Sequence, residues 1–314
     1  LEHHPWNGLR FWDLVQPFFM FIVGVAIPFS VTKRLARGDD YSKLVLHAIQ
    51  RSVLLFLFGW ALYCIGPGKI TFRFQNVLTQ LSFTYLVAFL LMRRSVYTQL
   101  GVSFFFLLLT EIVYRTFWVE GFNQPFVPDK NFGAWFDLLV SGELSNGHWV
   151  SINAVPTAAH TIWGVLAGWL IMSDRTPYQK IKIMVLAGIV GLAVGYALDP
   201  ITPIIKRIST TSFVIASGGC CFLFLALSYW IIDVLKYQRW AVFFAIVGMN
   251  PLFIYLFANV GGANLLKKIV VPFSTALFSW AGATTASVIT SFIVWGMLWY
   301  LCYWLYKNKI FIKI

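Results

Sequence analysis

Windows of ~20 predominantly apolar residues, the length an α-helix needs to cross a bilayer, recur from one end of this 314-residue chain to the other. The polar breaks between them leave no room for a water-soluble domain. Composition agrees: 59% of the residues are hydrophobic and 11% charged, whereas soluble domains carry roughly 25% charged residues. The fold expected is an all-α, polytopic transmembrane helix bundle of about nine spans, near 12–32, 48–66, 76–92, 98–117, 152–172, 182–198, 211–234, 240–260 and 286–306.

Lys and Arg set the orientation. The turns that hold Lys33, Arg34, Arg37, Lys43 and Arg51, then Arg93 and Arg94, then Arg175, Lys180 and Lys182, then Lys236 and Arg239, then Lys307, Lys309 and Lys313 fall on one side, and they account for 15 of the 24 basic residues. By the positive-inside rule that side is cytoplasmic. The chain then lies in a cytoplasmic (inner) membrane with its N-terminus outside and its C-terminus inside. Nearly all of the formal +12 charge thus faces anionic headgroups or a phosphate-bearing cosubstrate.

Several kinds of chemistry lack their signatures. Cys64, Cys220, Cys221 and Cys302 sit in apolar runs and read as small core residues. No His-x-x-x-His or Cys-x-x-Cys spacing supports a metal site, and there is no Gly-x-Ser-x-Gly, Walker A or dinucleotide fingerprint. Three connections are long, 33–47, 118–151 and 261–285. The second mixes Trp118, Trp135 and Trp149 with Asp129, Asp137 and Glu143, which suits either anchoring at the membrane interface or stacking on sugar rings.

Polar residues crowd the start of the first span, where His3-His4-Pro5-Trp6-Asn7-Gly8, Arg10 and Asp13 run into Phe18-Phe19-Met20-Phe21-Ile22-Val23-Gly24. Each polar group facing hydrocarbon costs a few kcal/mol unless partnered, so such a cluster lines a cavity rather than lipid. Asn7, Arg73, Asn76, Gln80, His160, Lys206 and Ser212 collect at the same side of the bundle. With Trp6 and Asn250 they make the candidate substrate-binding set. His160 is either hydrogen-bonded inside the bundle or part of the site. Lys206 binds the acceptor or a carboxylate, or is solvated in its loop, and Asn250 satisfies backbone groups freed by Pro251. Asp13 orients His3, pairs with Arg10, or simply starts the helix.

The run His3-x-x-Trp6-Asn7-Gly8, Asp13-Leu14-Val15, Pro17-Phe18-Phe19 and Phe21-Ile22-Val23-Gly24 resembles the core of the heparan-alpha-glucosaminide N-acetyltransferase family and its bacterial relatives. The resemblance continues in order through Phe132-Gly133, Asp137-Leu138-Leu139, Gly164-Val165-Leu166-Ala167-Gly168, Pro200, Lys206, Ser212-Phe213, Ile232-Asp233-Val234 and Gly248-Met249-Asn250-Pro251. It implies one transmembrane acyltransferase domain over 1–314, the 118–151 loop included, with His3 rather than His4 catalytic beside Asp13. It implies that an acetyl or short acyl group passes from cytoplasmic acetyl-CoA to an extracytoplasmic sugar amine or hydroxyl, without a metal. It further implies a helix ahead of residue 1 on which activity depends. Two departures, the Arg73-Phe74-Gln75-Asn76-Val77-Leu78-Thr79-Gln80 run and a missing Trp near Ser209, imply a different acceptor pocket.

A histidine suits this task physically, because an amine or hydroxyl must lose a proton as it attacks a thioester, and imidazole takes protons near neutral pH. The inner-side Lys33, Arg34 and Arg239 are the candidates to meet the phosphates of acetyl-CoA. A sugar or glycoconjugate acceptor, membrane lipids and a second copy of the chain are the expected partners, and nucleic acid is not. The alternative reading is a transporter that binds a small polar solute in the same cavity through Asp13, Glu111 and His160, though no internal repeat supports it.

Overall fold

A computed structural model describes residues 2–312 and 314, so Lys313 of the basic tally lies outside the described residues. All regular structure among them is helical, and eight helices are long and apolar enough to cross a membrane. The protein is a multi-pass membrane bundle. It divides into two compact units: residues 1–63 with 70–234, and residues 64–69 with 235–314.

The first unit holds α1 (Val15–Leu35), α2 (Tyr41–Ile65), α3 (Val77–Leu91), α4 (Val96–Thr116), α5 (Phe132–Ser141), α6 (Ala154–Met172), α7 (Pro177–Leu198) and α8 (Thr211–Tyr229). Local chemistry sets several of their ends. Asn76 caps α3 by accepting from Leu78 and Thr79 N–H, Asn131 caps α5 at Ala134, and Thr176 with Gln179 forms a capping box ahead of α7, where Pro177 is the first helical residue. At 15 residues α3 falls short of a full crossing, roughly 22 Å at 1.5 Å per residue. Its residues from Leu78 to Ser82 are all buried, so protein rather than lipid surrounds it.

α1 and α6 form the centre. Half of the apolar window of α1 and 61% of that of α6 are buried, against 17% for α4 and α7, which face outward. Their backbones touch at Gly24 and Gly164: a Cβ on Gly24 would lie 2.1 Å from Thr161 O, and one on Gly164 2.1 Å from Phe21 O. In a bilayer, where burying apolar surface gives helices little reason to associate, such close contact is a main source of adhesion.

In the second unit the expected eighth span, 240–260, is broken. Its sequence forms α9 (Ala241–Gly248) and α10 (Pro251–Phe257), because the residue before a proline is pushed out of helical conformation; Asn250 has φ −131° and ψ 48°. The connection expected at 261–285 is largely a helix, α11 (Ala263–Phe278), which follows a kink at Gly261, where φ is 110°. Lys267, Lys268 and Pro272 interrupt its apolar pattern and hide it from a hydropathy reading. α12 (Ala283–Lys307) completes this unit and meets α11 through a 2.6 Å Ser274–Thr290 hydrogen bond.

Replacing Gly24 or Gly164 by Ala is expected to destabilise the bundle by about 1–3 kcal/mol, the usual cost of overpacking. Gly101→Ala, where an added Cβ meets nothing within 4 Å, should leave stability unchanged or slightly raised. Thermal unfolding in detergent checks both, and equal melting temperatures for the three variants would refute the close-contact account.

Candidate functional site

The cluster around His3 is built on the start of α1. Residues 11–14 form a 3₁₀ turn that leads into the helix and carries Asp13, which is 1% exposed. Its Oδ2 accepts hydrogen bonds from the backbone N–H of Arg10 (2.9 Å) and of His4 (3.2 Å), and its Oδ1 lies 2.8 Å from His3 Nδ1. A carboxylate only accepts, so in the tautomer that bonds Asp13 the His3 ring hydrogen sits on Nδ1, and Lys206 Nζ, 3.2 Å from the same nitrogen, then acts on the ring as a charge and not as a donor. Nε2 therefore keeps its lone pair, and among the described residues it makes no hydrogen bond. Asp13 thus does two of the things the sequence offered: it closes the helix entry by accepting from the Arg10 backbone N–H, and it contacts His3.

A second segment, the connection between α7 and α8, closes over the first. Asn7 and Ile205 form an antiparallel bridge, and Gly8 N–H donates to Ile204 O at 2.8 Å. Gly8 has φ +129°, a conformation that residues with a Cβ rarely adopt, so glycine is favoured there. The connection is tied internally by Asp199 accepting from Ile204 N–H (2.8 Å) and Thr210 from Ile205 N–H (3.0 Å). It delivers Lys206, 7% exposed, with Nζ 3.2 Å from His3 Nδ1 and 4.0 Å from Asp13 Oδ1.

These neighbours set the charge states. Burial, then the Lys206 ammonium, lowers the pKa of His3 below its usual 6.5, against the pull of Asp13. Burial likewise brings Lys206 down to about 8, with Asp13 opposing. Near neutral pH the imidazole is thus uncharged and holds its lone pair on Nε2, the arrangement a general base requires. Trp149 walls the cluster: the His3 ring meets it edge-on at 5.4 Å, and Lys206 and Arg207 lie 5.5 and 5.7 Å from its centre.

His3, Asp13 and Lys206 are brought together, whereas Asn7 meets the same segment through its backbone bridge to Ile205, and Trp6 donates to Phe126 O (2.7 Å) and packs against the His148 ring. Gln80 enters a buried polar chain: Gln16 donates to Gln80 (2.6 Å), Gln80 to Asn153 (2.6 Å), and Asn153 to Arg207 O (3.3 Å). Ser212, in the first turn of α8, pairs at 3.2 Å with Thr210, which ends the connection that carries Lys206. The remaining candidates make other contacts. Arg73 pairs with Glu143, Asn76 caps α3 and donates to Gly59 O, and His160 is fully buried against Val214 O (3.1 Å) and Ser217 Oγ (2.9 Å). Glu111 is paired with Arg115 at 2.6 Å. Asn250 belongs to the second unit, where it bonds Ile310 O and Ile312 N–H rather than groups freed by Pro251.

Arg34 lies at the opposite end of α1, ~30 Å from the 3₁₀ turn at 1.5 Å per residue. There it lines a cavity of about 150 Å³ with His47, Arg51 and Tyr85. Arg34 is paired with Asp39 (2.8 Å), and Arg51 stacks over Tyr85 at 4.8 Å while its Nε has no partner. Lys33 is exposed on the surface, and Arg239 is exposed in the second unit. Sequence reasoning missed His47, Arg51, Trp149 and Arg207 as companions of these sites. The adjacency of Arg207 to Lys206, and the spacing of His47 and Arg51 by one helical turn, were the signals available. Among the described residues no group of His, Cys, Asp and Glu could hold a metal ion.

Residues 3–100 match the family model described as a domain of unknown function (DUF5009). Heparan-alpha-glucosaminide N-acetyltransferase of Mus musculus is 41% identical over 93 residues, which is 27% of this chain and 14% of that protein. The Homo sapiens enzyme of the same name is 40% identical over 93 residues, with the same shares. The match thus spans about one seventh of the length of these relatives. Over the matched stretch the chain is similar to that acetyltransferase, in keeping with the resemblance carried by the motifs from His3 to Gly24.

His3 should titrate below 6.5. Removing the nearby ammonium with Lys206→Met should raise its pKa, and removing the supporting carboxylate with Asp13→Asn should lower it further. Imidazole ¹⁵N chemical shifts against pH measure all three, and a His3 transition above 6.5 in the unaltered protein contradicts the charge balance described above.

Proposed function

We propose that this protein is a membrane-embedded acyltransferase that moves an acetyl or short acyl group from acyl-CoA to the amine or hydroxyl of a sugar on the other side of the membrane. The observation that carries the reading is the Asp13–His3 pair with Lys206 beside it at one end of α1. Acetyl-CoA supplies a thioester whose carbonyl is open to nucleophilic attack. As the acceptor attacks, His3 Nε2 takes its proton, and Asp13 holds the ring by Nδ1 and stabilises the imidazolium that forms. His3 then returns the proton to the departing thiolate. Lys206 keeps the ring uncharged between turnovers and places positive charge where negative charge develops.

The donor's phosphates fit the Arg34, His47 and Arg51 cavity. Arg51 has an unpartnered Nε there, and a guanidinium suits phosphate oxygens. Lys33 and Arg239 would then add only general positive charge. We place the Arg34 end in the cytoplasm and the His3 end outside, in an inner membrane, with lipids and a second copy of the chain as neighbours. His3, Asp13, Lys206, Arg34, His47 and Arg51 all belong to the first of the two compact units.

Labelled acetyl-CoA supplied to inside-out vesicles that carry the protein should yield labelled amino sugar and free CoA. His3→Ala should lower transfer by about 10²–10⁴-fold, and His4→Ala should have a mild effect. Activity should fall as pH drops through the His3 pKa, below 6.5, because the protonated ring cannot act as base. Unchanged turnover in His3→Ala removes its assigned role, and solute counterflow without CoA release favours a transporter instead.

A further inference from the structure

Beside the Asp13–His3 pair stands a second histidine–carboxylate pair that the reaction above does not use. His148 Nδ1 lies 2.6 Å from Asp129 Oδ2, and the two side chains are 40% and 32% exposed. Because the carboxylate only accepts, the ring hydrogen belongs to Nδ1 and the Nε2 lone pair is left over. Among the described residues Nε2 makes no hydrogen bond.

Two features mark this pair as more than a surface contact. Asp129 and His148 both have φ +58°, left-handed backbone that only a few per cent of non-glycine residues adopt and that persists where surrounding contacts enforce it. Those contacts come from the candidate site itself. Trp6 donates to Phe126 O, three residues before Asp129, and Arg207 donates to Gly147 O at 2.7 Å, one residue before His148. In addition, the two pairs interlock. The His3 ring meets the edge of Trp149, the neighbour of His148, while the His148 ring meets Trp6, three residues after His3, at 6.0 Å and 87°.

A pyranose ring presents hydroxyl donors around its rim and apolar C–H groups on its faces. An imidazole nitrogen with an open lone pair next to an indole matches both. We infer that Trp6 and His148 form the subsite that holds the sugar acceptor, His148 Nε2 accepting a hydrogen bond from a ring hydroxyl and Asp129 serving as its positioning residue. The identity of the acceptor as a sugar rests on the acyltransferase reading, whereas the choice of residues rests on the interlocked geometry.

Asparagine tolerates left-handed backbone, so His148→Asn removes the imidazole without straining the turn, and Asp129→Asn removes only the charge. Calorimetric titration of glucosamine into the purified protein should give a Kd about tenfold weaker for His148→Asn, the scale of one lost hydrogen bond. Asp129→Asn should weaken binding less, and both variants should keep the melting temperature and the affinity for CoA of the unaltered protein. Equal glucosamine affinity in the unaltered and His148→Asn proteins overturns the inference, and so does a lack of glucosamine binding by the unaltered protein. Parallel loss of glucosamine binding, CoA binding and thermal stability identifies a structural role and also overturns it. If glucosamine binding depends on His148 but no acetyl group is transferred, the subsite stands and the acyltransferase reading fails.

Discussion

The carboxylate of Asp13 organises one whole end of the bundle. A charge that is 1% exposed survives burial only where donors and counter-charge surround it. Two of the donors are the backbone N–H groups of His4 and Arg10, which belong to the chain just before α1 and need partners of their own. The same carboxylate therefore fixes the path of residues 3–10, supports the start of α1 and aims His3. The N-terminal segment in turn forms the bridge with Ile205 that brings Lys206 in as counter-charge. Loss of any one of these contacts leaves a buried polar group unpaired in another.

That mutual dependence accounts for the local irregularities. Gly8 adopts φ +129° under the His4 ring, and Ser209 adopts φ +51° at the end of the segment that carries Lys206. Asp129 and His148 add two more left-handed residues beside them. A strained residue is maintained only where its surroundings over-determine it, and here the surroundings are a close-fitting set of rings and ion pairs. α1 and α6, which run inward from this end, are the helices pressed together at Gly24 and Gly164. The site thus rests on the closely packed α1–α6 pair.

Hydropathy made most spans legible because a bilayer imposes one strong rule, ~20 apolar residues with internally bonded backbone. The rule blurs where lipid is not the neighbour. α3 is short and buried, α9 and α10 divide at Pro251, and α11 carries two lysines and a proline. Within the site, His3, Asp13 and Lys206 were legible because ionisable groups stand out beside a membrane helix. Trp149, Arg207 and the Asp129–His148 pair were not. Aromatic and charged residues in a loop look alike whether they anchor at an interface or wall a cavity, and only the long-range contact with residues 3–6 separates the two. His160 shows the converse: a histidine deep in a span looked like a candidate, yet Val214 O and Ser217 account for its Nε2.

The run of amides from the half-buried Gln16 through the buried Gln80 and Asn153 bears on what the interior is for. A bundle whose only task is to anchor lowers its energy by filling its centre with apolar side chains, since interhelical hydrogen bonds between amides contribute only about 0.6 kcal/mol each on average in a membrane. Here three amides on three separate segments are bonded in series beside α1, and the last reaches Arg207 O, next to Lys206. α1 thus has imidazole, carboxylate and ammonium at one end, amides along its first turns, and a cavity with Arg34 and Arg51 at the other end. Polar groups set at both ends of one central helix fit the proposed reaction better than they fit a bundle that only anchors.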